Sequence, residues 1–324
     1  LPSKKKEAKV ARSNRIYVSK ELGSYHIINR VVGRQFLLGE AEKEHYLYLL
    51  QKFVKAFFIE LHSFCIMDNH VHLLITGLDE QAENASWEEL LSRYRILYGP
   101  DAMPPSGSAD FDGSEIPDPD YGIERLRSRL GSVSRFMQEL QQTFSRWYNE
   151  RHNRVGYFWS SRFKSVLTSR DEGQLICATY IDLNPIRAKI VQRPDDYRWC
   201  TLGILARNPS KSTAWITPIP ILEEKEESCW NWYRVFVYHV GAIEKPNAAS
   251  IPLQAMEEIE KMEGRLNLST RLSYRVKSLS EGLAIGAQTF VESIQKRLKR
   301  KIIKARSCLQ GAPLYTTRSL GPSG

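Results

Sequence analysis

Apolar and polar positions along this chain follow two periods, and the change from one to the other marks the elements. Tyr25-His26-Ile27-Ile28-Asn29-Arg30 lies in a run at 24–31 that predicts a strand. From about Glu40 to Phe58 the apolar residues Tyr46, Leu49, Leu50, Phe53, Val54 and Phe57 recur at helical spacing. Leu61 to Met67 reads as a second strand, Asp68-Asn69 as a tight turn, and His70 through Ile75 as the returning strand. Helical periodicity returns from Gly131 to His152, with Val133, Phe136, Met137, Leu140, Phe144 and Trp147 on one stripe and Arg135, Arg146, Arg151 and Arg154 around it. A strand is expected near 155–168, followed by a helix through Tyr180. The order strand, helix, strand, strand, helix, strand, helix fits an α+β protein with a ferredoxin-like antiparallel sheet and packed helices.

Three stretches break the pattern. Residues 1–20 carry Lys4, Lys5, Lys6, Lys9, Arg12 and Arg15 and read either as a solvated tail or as a basic arm. Residues 79 to about 128 are acidic and rich in turn formers, with Pro104-Pro105-Ser106-Gly107-Ser108 and Asp110, Asp112, Glu115, Asp118 and Asp120. They predict a surface insertion with a short helix near Trp87–Tyr98, serving as a solvated loop or as a gate over a polyanion site. The core thus spans 21–205, and 206–324 is an extension, mainly helical and basic toward its end. Within it, Leu272–Leu279, a break at Ser280-Glu281-Gly282 and Gly286–Leu298 are spaced as a helix-turn-helix.

Composition narrows the partners. The 324 residues carry a net charge of +9 and a pI near 9.2, which favours an acidic polymer. No apolar run reaches membrane-spanning length, and Leu1-Pro2-Ser3-Lys4-Lys5-Lys6 is not followed by a signal-peptide core, so no membrane partner is expected. The five cysteines (65, 177, 200, 229 and 308) lack CxxC spacing and read as reduced thiols of a cytoplasmic protein.

The candidate chemistry lies in two places. His70 and His72 project from one face of a strand, at a spacing that suits one divalent cation or, more plainly, two packed hairpin histidines. Far downstream, Cys177-Ala178-Thr179-Tyr180-Ile181-Asp182-Leu183-Asn184-Pro185-Ile186-Arg187-Ala188 places a phenol and an amide four residues apart, on one helix face. Pro185 is expected to kink or close a turn there. Tyr180 reads as a nucleophile or a packing residue, and Asn184 as a ligand or a cap. His26 and His62 read as structural strand histidines.

The hairpin LHSFCIMDNHVHLLI and the helix ATYIDLNPIRAKIV resemble the single-tyrosine HUH transposases, most closely the REP-associated tyrosine transposases of the IS200-like superfamily. The resemblance includes the strand Tyr25–Arg30 and the stretch from Gly156-Tyr157-Phe158-Trp159 through Arg162-Phe163-Lys164-Ser165. It implies a bacterial, nucleoid-associated enzyme, monomeric or homodimeric, that cleaves and rejoins single-stranded DNA at hairpins. Tyr180 would form a 5′-phosphotyrosine, while His70, His72 and Asn184 would hold Mg²⁺ or Mn²⁺. Arg30, Arg34, Arg162, Lys164 and Arg187 in the core, and Arg275, Lys277, Lys299 and Arg300 in the extension, are the candidate DNA contacts. Two other readings stand beside it: a non-catalytic DNA-binding regulator derived from a transposase, and an RNA-binding module, whose aromatic signature these strands lack.

Overall fold

The computed structural model of the protein describes residues 23–104, 119–207, 214–223, 229–244, 249–263, 273–274, 282–297, 306–307, 309–310 and 315–318. The expected core elements are present: β1 (Ser24–Arg30), α1 (Glu40–Ala56), β2 (Ile59–Ile66) and β3 (His70–Gly77). After three further helices, α2 (Asp79–Glu83), α3 (Trp87–Tyr98) and α4 (Pro119–Leu130), come α5 (Val133–Arg151), β4 (Lys164–Thr168) and α6 (Glu172–Asp182). The first four strands lie in the order β2-β3-β1-β4, with every neighbour antiparallel. This is the ferredoxin-like arrangement of an α+β fold, as expected from the element order.

Register decides which side chains meet which helices. Tyr25 pairs with Ile75 and Leu167, and Ile27 with Leu73. These residues share one face and join the α1, α3 and α5 side chains Tyr46, Leu50, Phe53, Leu90, Phe136 and Phe144 in one core. His26 pairs with Leu74 and Val166, and Ile28 with His72 and Lys164, so these face the opposite side. There Leu74 and Val166 pack under Leu175, Ile176 and Tyr180 of α6. Each fully buried large apolar side chain contributes about 1.5–3 kcal/mol, so a one-residue slip of β1, which exchanges the faces, is strongly disfavoured.

The described flanks of the acidic stretch are packed against the core. The helix Trp87–Tyr98 is present, with Ser86 capping it by accepting from the Glu89 N–H. Leu90 and Tyr94 of α3 and Leu126 and Leu130 of α4 are buried in the first core, so these flanks are packed helices and not surface loop. Residues 105–118, which hold Asp110, Asp112, Glu115 and Asp118, lie outside the described residues, as does the basic arm at 1–20.

The strand expected over 155–168 is confined to Lys164–Thr168. Asn153 (φ 46°) and Gly156 (φ 106°) take left-handed backbone that no strand accommodates. Phe158 and Trp159 supplied the apolar signal, but they are buried through a single bridge, Val31 with Trp159.

The extension is part of the sheet. After α7 (Asn184–Arg187), α8 (Thr201–Arg207), α9 (Pro220–Glu223), α10 (Cys229–Ala242) and α11 (Leu253–Glu263) the chain returns to the core. Strand β5 (Ser273–Tyr274) pairs with β8 (Leu309–Gln310), while β6 (Gly282–Gly286), β9 (Tyr315–Arg318) and β7 (Arg306–Ser307) extend the main sheet to seven strands. β6 runs parallel to β4, Leu167 opposite Ala284 and Thr168 opposite Ile285. Ala284 enters the first core and Ile285 the second, so the short run Leu283-Ala284-Ile285 is a strand covered on both faces. Of the expected helix-turn-helix, Ser273–Tyr274 is strand and Gln288–Arg297 is helix (α12), while residues 275–281 lie outside the described residues.

Candidate active site

The site is built around the β2–β3 hairpin. The Met67 N–H donates to the His70 carbonyl at 2.9 Å and closes the expected turn. Lys43 of α1, nearly buried, pairs with Asp68, and the Leu38 N–H donates to the Asp68 carbonyl. Asn69 donates through Nδ2 to the Arg34 carbonyl at 3.3 Å, which leaves its Oδ1 as acceptor for His70 Nδ1 at 2.6 Å. His70 Nδ1 therefore carries the proton and Nε2 keeps its lone pair, the form a metal ligand requires.

His72, 2% exposed, meets His26: Nε2 of His26 and Nδ1 of His72 are 2.9 Å apart, with the rings stacked at 5.1 Å. In the tautomer in which His72 Nδ1 donates, His26 Nε2 is the acceptor and His72 Nε2 keeps its lone pair for a ligand. Sequence reading treated His26 as a structural histidine. The missing signal was register: once β1 lies beside β3, His26 and His72 are diagonal neighbours on one face. His62, by contrast, is structural, bonded through Nε2 to Thr76 Oγ1 at 2.9 Å.

Burial lowers the pKa of His70 to about 4, helped by the nearby Arg30 guanidinium and opposed by Asp68. Burial also takes His72 well below the usual imidazole range, with His26, His70 and Arg30 adding to the effect. Both imidazoles are neutral at pH 7.

Tyr180 reaches the same place from α6, whose first turn is capped by Asp171 accepting from the Gly173 N–H at 2.9 Å. Its ring stands edge-on to His72 at 5.7 Å and to His26 at 5.8 Å, and is 9% exposed. Burial raises the phenol pKa, while Arg187, whose guanidinium carbon lies 5.4 Å from the ring centre, and Arg30 pull it down.

Asn184 does not continue the Tyr180 face. α6 stops at Asp182, Pro185 enters the first turn of α7, and Asn184 Nδ2 donates back to the carbonyls of Tyr180 (2.9 Å) and Ile181 (3.2 Å). An oxygen in that position would face two carbonyl oxygens, so the amide orientation is fixed and Oδ1 is the end left for another partner. Among the described residues no group of three His, Cys, Asp or Glu side chains is placed to hold a metal ion. The two neutral imidazoles are of the type that suits a divalent cation, and Asn184 is held by its amide bonds at the end of the Tyr180 helix.

The other candidates are spread around this cluster. Arg30 pairs in register with His70, Lys164 opposes Ile28 at the start of β4, and Arg34 and Arg162 are exposed. Arg187 lies over the Tyr180 ring. Arg275, Lys277, Lys299 and Arg300 lie outside the described residues.

A further group was not foreseen. Asp182, wholly buried two residues after Tyr180, accepts from Tyr233 Oη of α10 at 2.6 Å, from the Leu202 N–H at 3.1 Å and from Ser63 Oγ at 3.5 Å. Desolvation pushes its pKa up to about 7 in spite of these donors. α10 also comes close at Gly241, where an added Cβ would lie 2.4 Å from Ile251 Cδ1 and 2.7 Å from Leu183 Cδ2. The extension thus grips the helix that carries Tyr180.

An α+β protein with strand histidines facing a helix-borne tyrosine is the class that the fold and cluster define. Residues 19–84 match the family described as "Transposase IS200 like". The matched segment holds His26, His70 and His72 and ends before Tyr180 and Asn184. The family carries a transposase-type role in DNA processing. A solved structure, a REP-associated tyrosine transposase bound to a REP hairpin, is 12% identical and covers 65% of this chain and 93% of its own, with a TM-score of 0.39. No curated protein matches the chain. No helix among the described residues is long and apolar enough to cross a membrane.

Proposed function

We propose that the protein cleaves and rejoins single-stranded DNA at hairpin sites, with Tyr180 as nucleophile and His70, His72 and Asn184 as holders of Mg²⁺ or Mn²⁺. The observation that carries this reading is the meeting of the Tyr180 ring with His72 at 5.7 Å from two elements far apart in sequence. When bound, the divalent cation offsets phosphate charge and polarises the phosphoryl group. The neutral tautomers of His70 and His72 leave the cation its full charge. Arg187 and Arg30 favour the phenolate against the desolvation that opposes it. Attack forms the bond from the Tyr180 oxygen to phosphorus and breaks the bond from phosphorus to the 3′-oxygen, which leaves as a hydroxyl after taking up a proton. The adduct retains the bond energy, so a second 3′-hydroxyl can reverse the attack and join strands.

The test is a denaturing gel of the protein with a labelled hairpin oligonucleotide carrying an unpaired flank, in Mg²⁺ or Mn²⁺. Wild type is expected to form a covalent adduct, and Tyr180→Phe is expected to bind without forming one. An adduct that persists in Tyr180→Phe removes the assignment.

A further inference from the structure

Two aromatic side chains at the hairpin end of the sheet stand out by exposure. Phe36 is 77% exposed and Tyr157 is 88% exposed, whereas the adjacent Phe158 and Trp159 are at 1% and 9%. Single exposed apolar residues are ordinary, but these two sit on segments tied to each other and to the site. The Val32 N–H donates to the Phe158 carbonyl and the Ser160 N–H to the Arg30 carbonyl, each at 2.8 Å. Leu38 and the Arg34 carbonyl in turn bond the Asp68-Asn69 turn that precedes His70.

Both segments are held in shape. Gly33 (φ 61°) and Arg34 (φ 56°) turn one, while Asn153 (φ 46°) and Gly156 (φ 106°) turn the other. A non-glycine residue in this region costs on the order of 1 kcal/mol or more, so Arg34 and Asn153 are kept there by their surroundings. Asn149 Nδ2 donates to the Gly156 carbonyl at 3.0 Å and Trp159 Nε1 to the Gln141 carbonyl at 3.2 Å, fixing the second loop to α5. The charge is of one sign: neither 30–39 nor 151–164 contains an Asp or Glu, while Arg30, Arg34, Arg151, Arg154, Arg162 and Lys164 fall within them. Exposed rings on anchored segments, among cations, suit a strand that offers base faces and phosphates together.

We propose that Phe36 and Tyr157 form a stacking platform for the unpaired bases of the DNA strand that leads to Tyr180. The inference rests on the proposed function and adds where the unpaired bases bind. Stacking on an aromatic side chain is worth about 1–3 kcal/mol per base, or about 5- to 150-fold in affinity.

The experiment uses the full chain in a Tyr180→Phe background, so that binding is read without cleavage. Probes are a blunt hairpin and the same hairpin with an unpaired flank carrying 2-aminopurine at successive positions. Phe36→Ala and Tyr157→Ala are expected to weaken binding of the flanked hairpin about 5- to 150-fold, leave the blunt hairpin unchanged and abolish the 2-aminopurine quenching seen otherwise. Tyr157→Phe is expected to retain both. Equal losses on the two probes, unchanged binding, or a changed sedimentation coefficient without DNA would each overturn the platform, the last by making the surface an interface between copies. Failure of the Tyr180 adduct assay would instead overturn the nuclease reading, and leaves this binding measurement intact.

Discussion

Tyr233→Phe removes one hydroxyl from α10 and tests how the extension holds the Tyr180 helix. The lost donor lies 2.6 Å from the buried carboxyl of Asp182, which keeps the Leu202 N–H, Ser63 Oγ and the Cys200 thiol as partners. A hydrogen bond to a charged group is worth about 1.5–3 kcal/mol and one between neutral groups about 0.5–1.5 kcal/mol. Which applies depends on pH, because Asp182 is pushed up to about 7 in the fold from an ordinary carboxylate value. A raised folded pKa means that the stability linked to Asp182 is fully present below the unfolded value and is lost as pH rises through about 7.

At pH 5.5 the folded Asp182 holds its proton, so the variant is expected to lose about 1 kcal/mol. Near pH 8.5 the carboxylate has lost its closest donor, and the loss is expected to reach about 2–3 kcal/mol. Urea unfolding of both proteins at the two pH values measures this. The difference between variant and wild type is the quantity to compare, since neutral buried histidines such as His62 and His70 impose an opposite pH trend on both proteins. Adduct formation at Tyr180 should fall more at the higher pH. Equal losses at both pH values would refute the placement of an ionisable Asp182 under Tyr233, and no loss at either would refute the grip itself.

His26→Ala leaves His72 Nδ1 without its tautomer-setting partner and is expected to weaken Mn²⁺ binding about 10- to 100-fold in calorimetry; unchanged affinity would return His26 to a purely structural role. Truncation after Ala206 removes β6 and α10 and uncovers the Leu175, Ile176 and Val166 layer at about 1.5–3 kcal/mol per buried side chain. The truncated chain is therefore expected to lose its cooperative thermal transition in circular dichroism, and a sharp wild-type-like melt would show the extension to be dispensable.

The hairpin, the Tyr180 helix and the ferredoxin-like order were legible because each rests on local periodicity or on a two-residue turn. Relations between strands were not. Nothing in the sequence around His26 says that β1 lies beside β3, and the His26–His72 bond follows from that adjacency alone. Phe158 and Trp159 looked like strand because burial, not extended backbone, produced their apolar signal. Leu283-Ala284-Ile285 looked like part of a basic helical tail because a short apolar run between glycines does not declare its period. Asp182 gave no signal, because its donors come from β2, α8 and α10, and a buried acid on a helix reads like any polar position.

These misses share a physical cause that bears on function. The His70–His72 pair is set by the hairpin itself: the Asn69 amide, the Arg34 carbonyl and the register with β1 all lie within the family-matched segment. Tyr180 is set differently. Its helix is pressed on the sheet by apolar contacts, stopped at Asp182 by the Asn184 amide, and held from outside by Tyr233 and by the close approach at Gly241. One half of the cluster thus depends on local sequence and the other on a long return of the chain. A change in the extension that leaves the hairpin untouched can therefore move the phenol relative to the imidazoles, so substitutions in α10 belong with those in the site when its chemistry is examined.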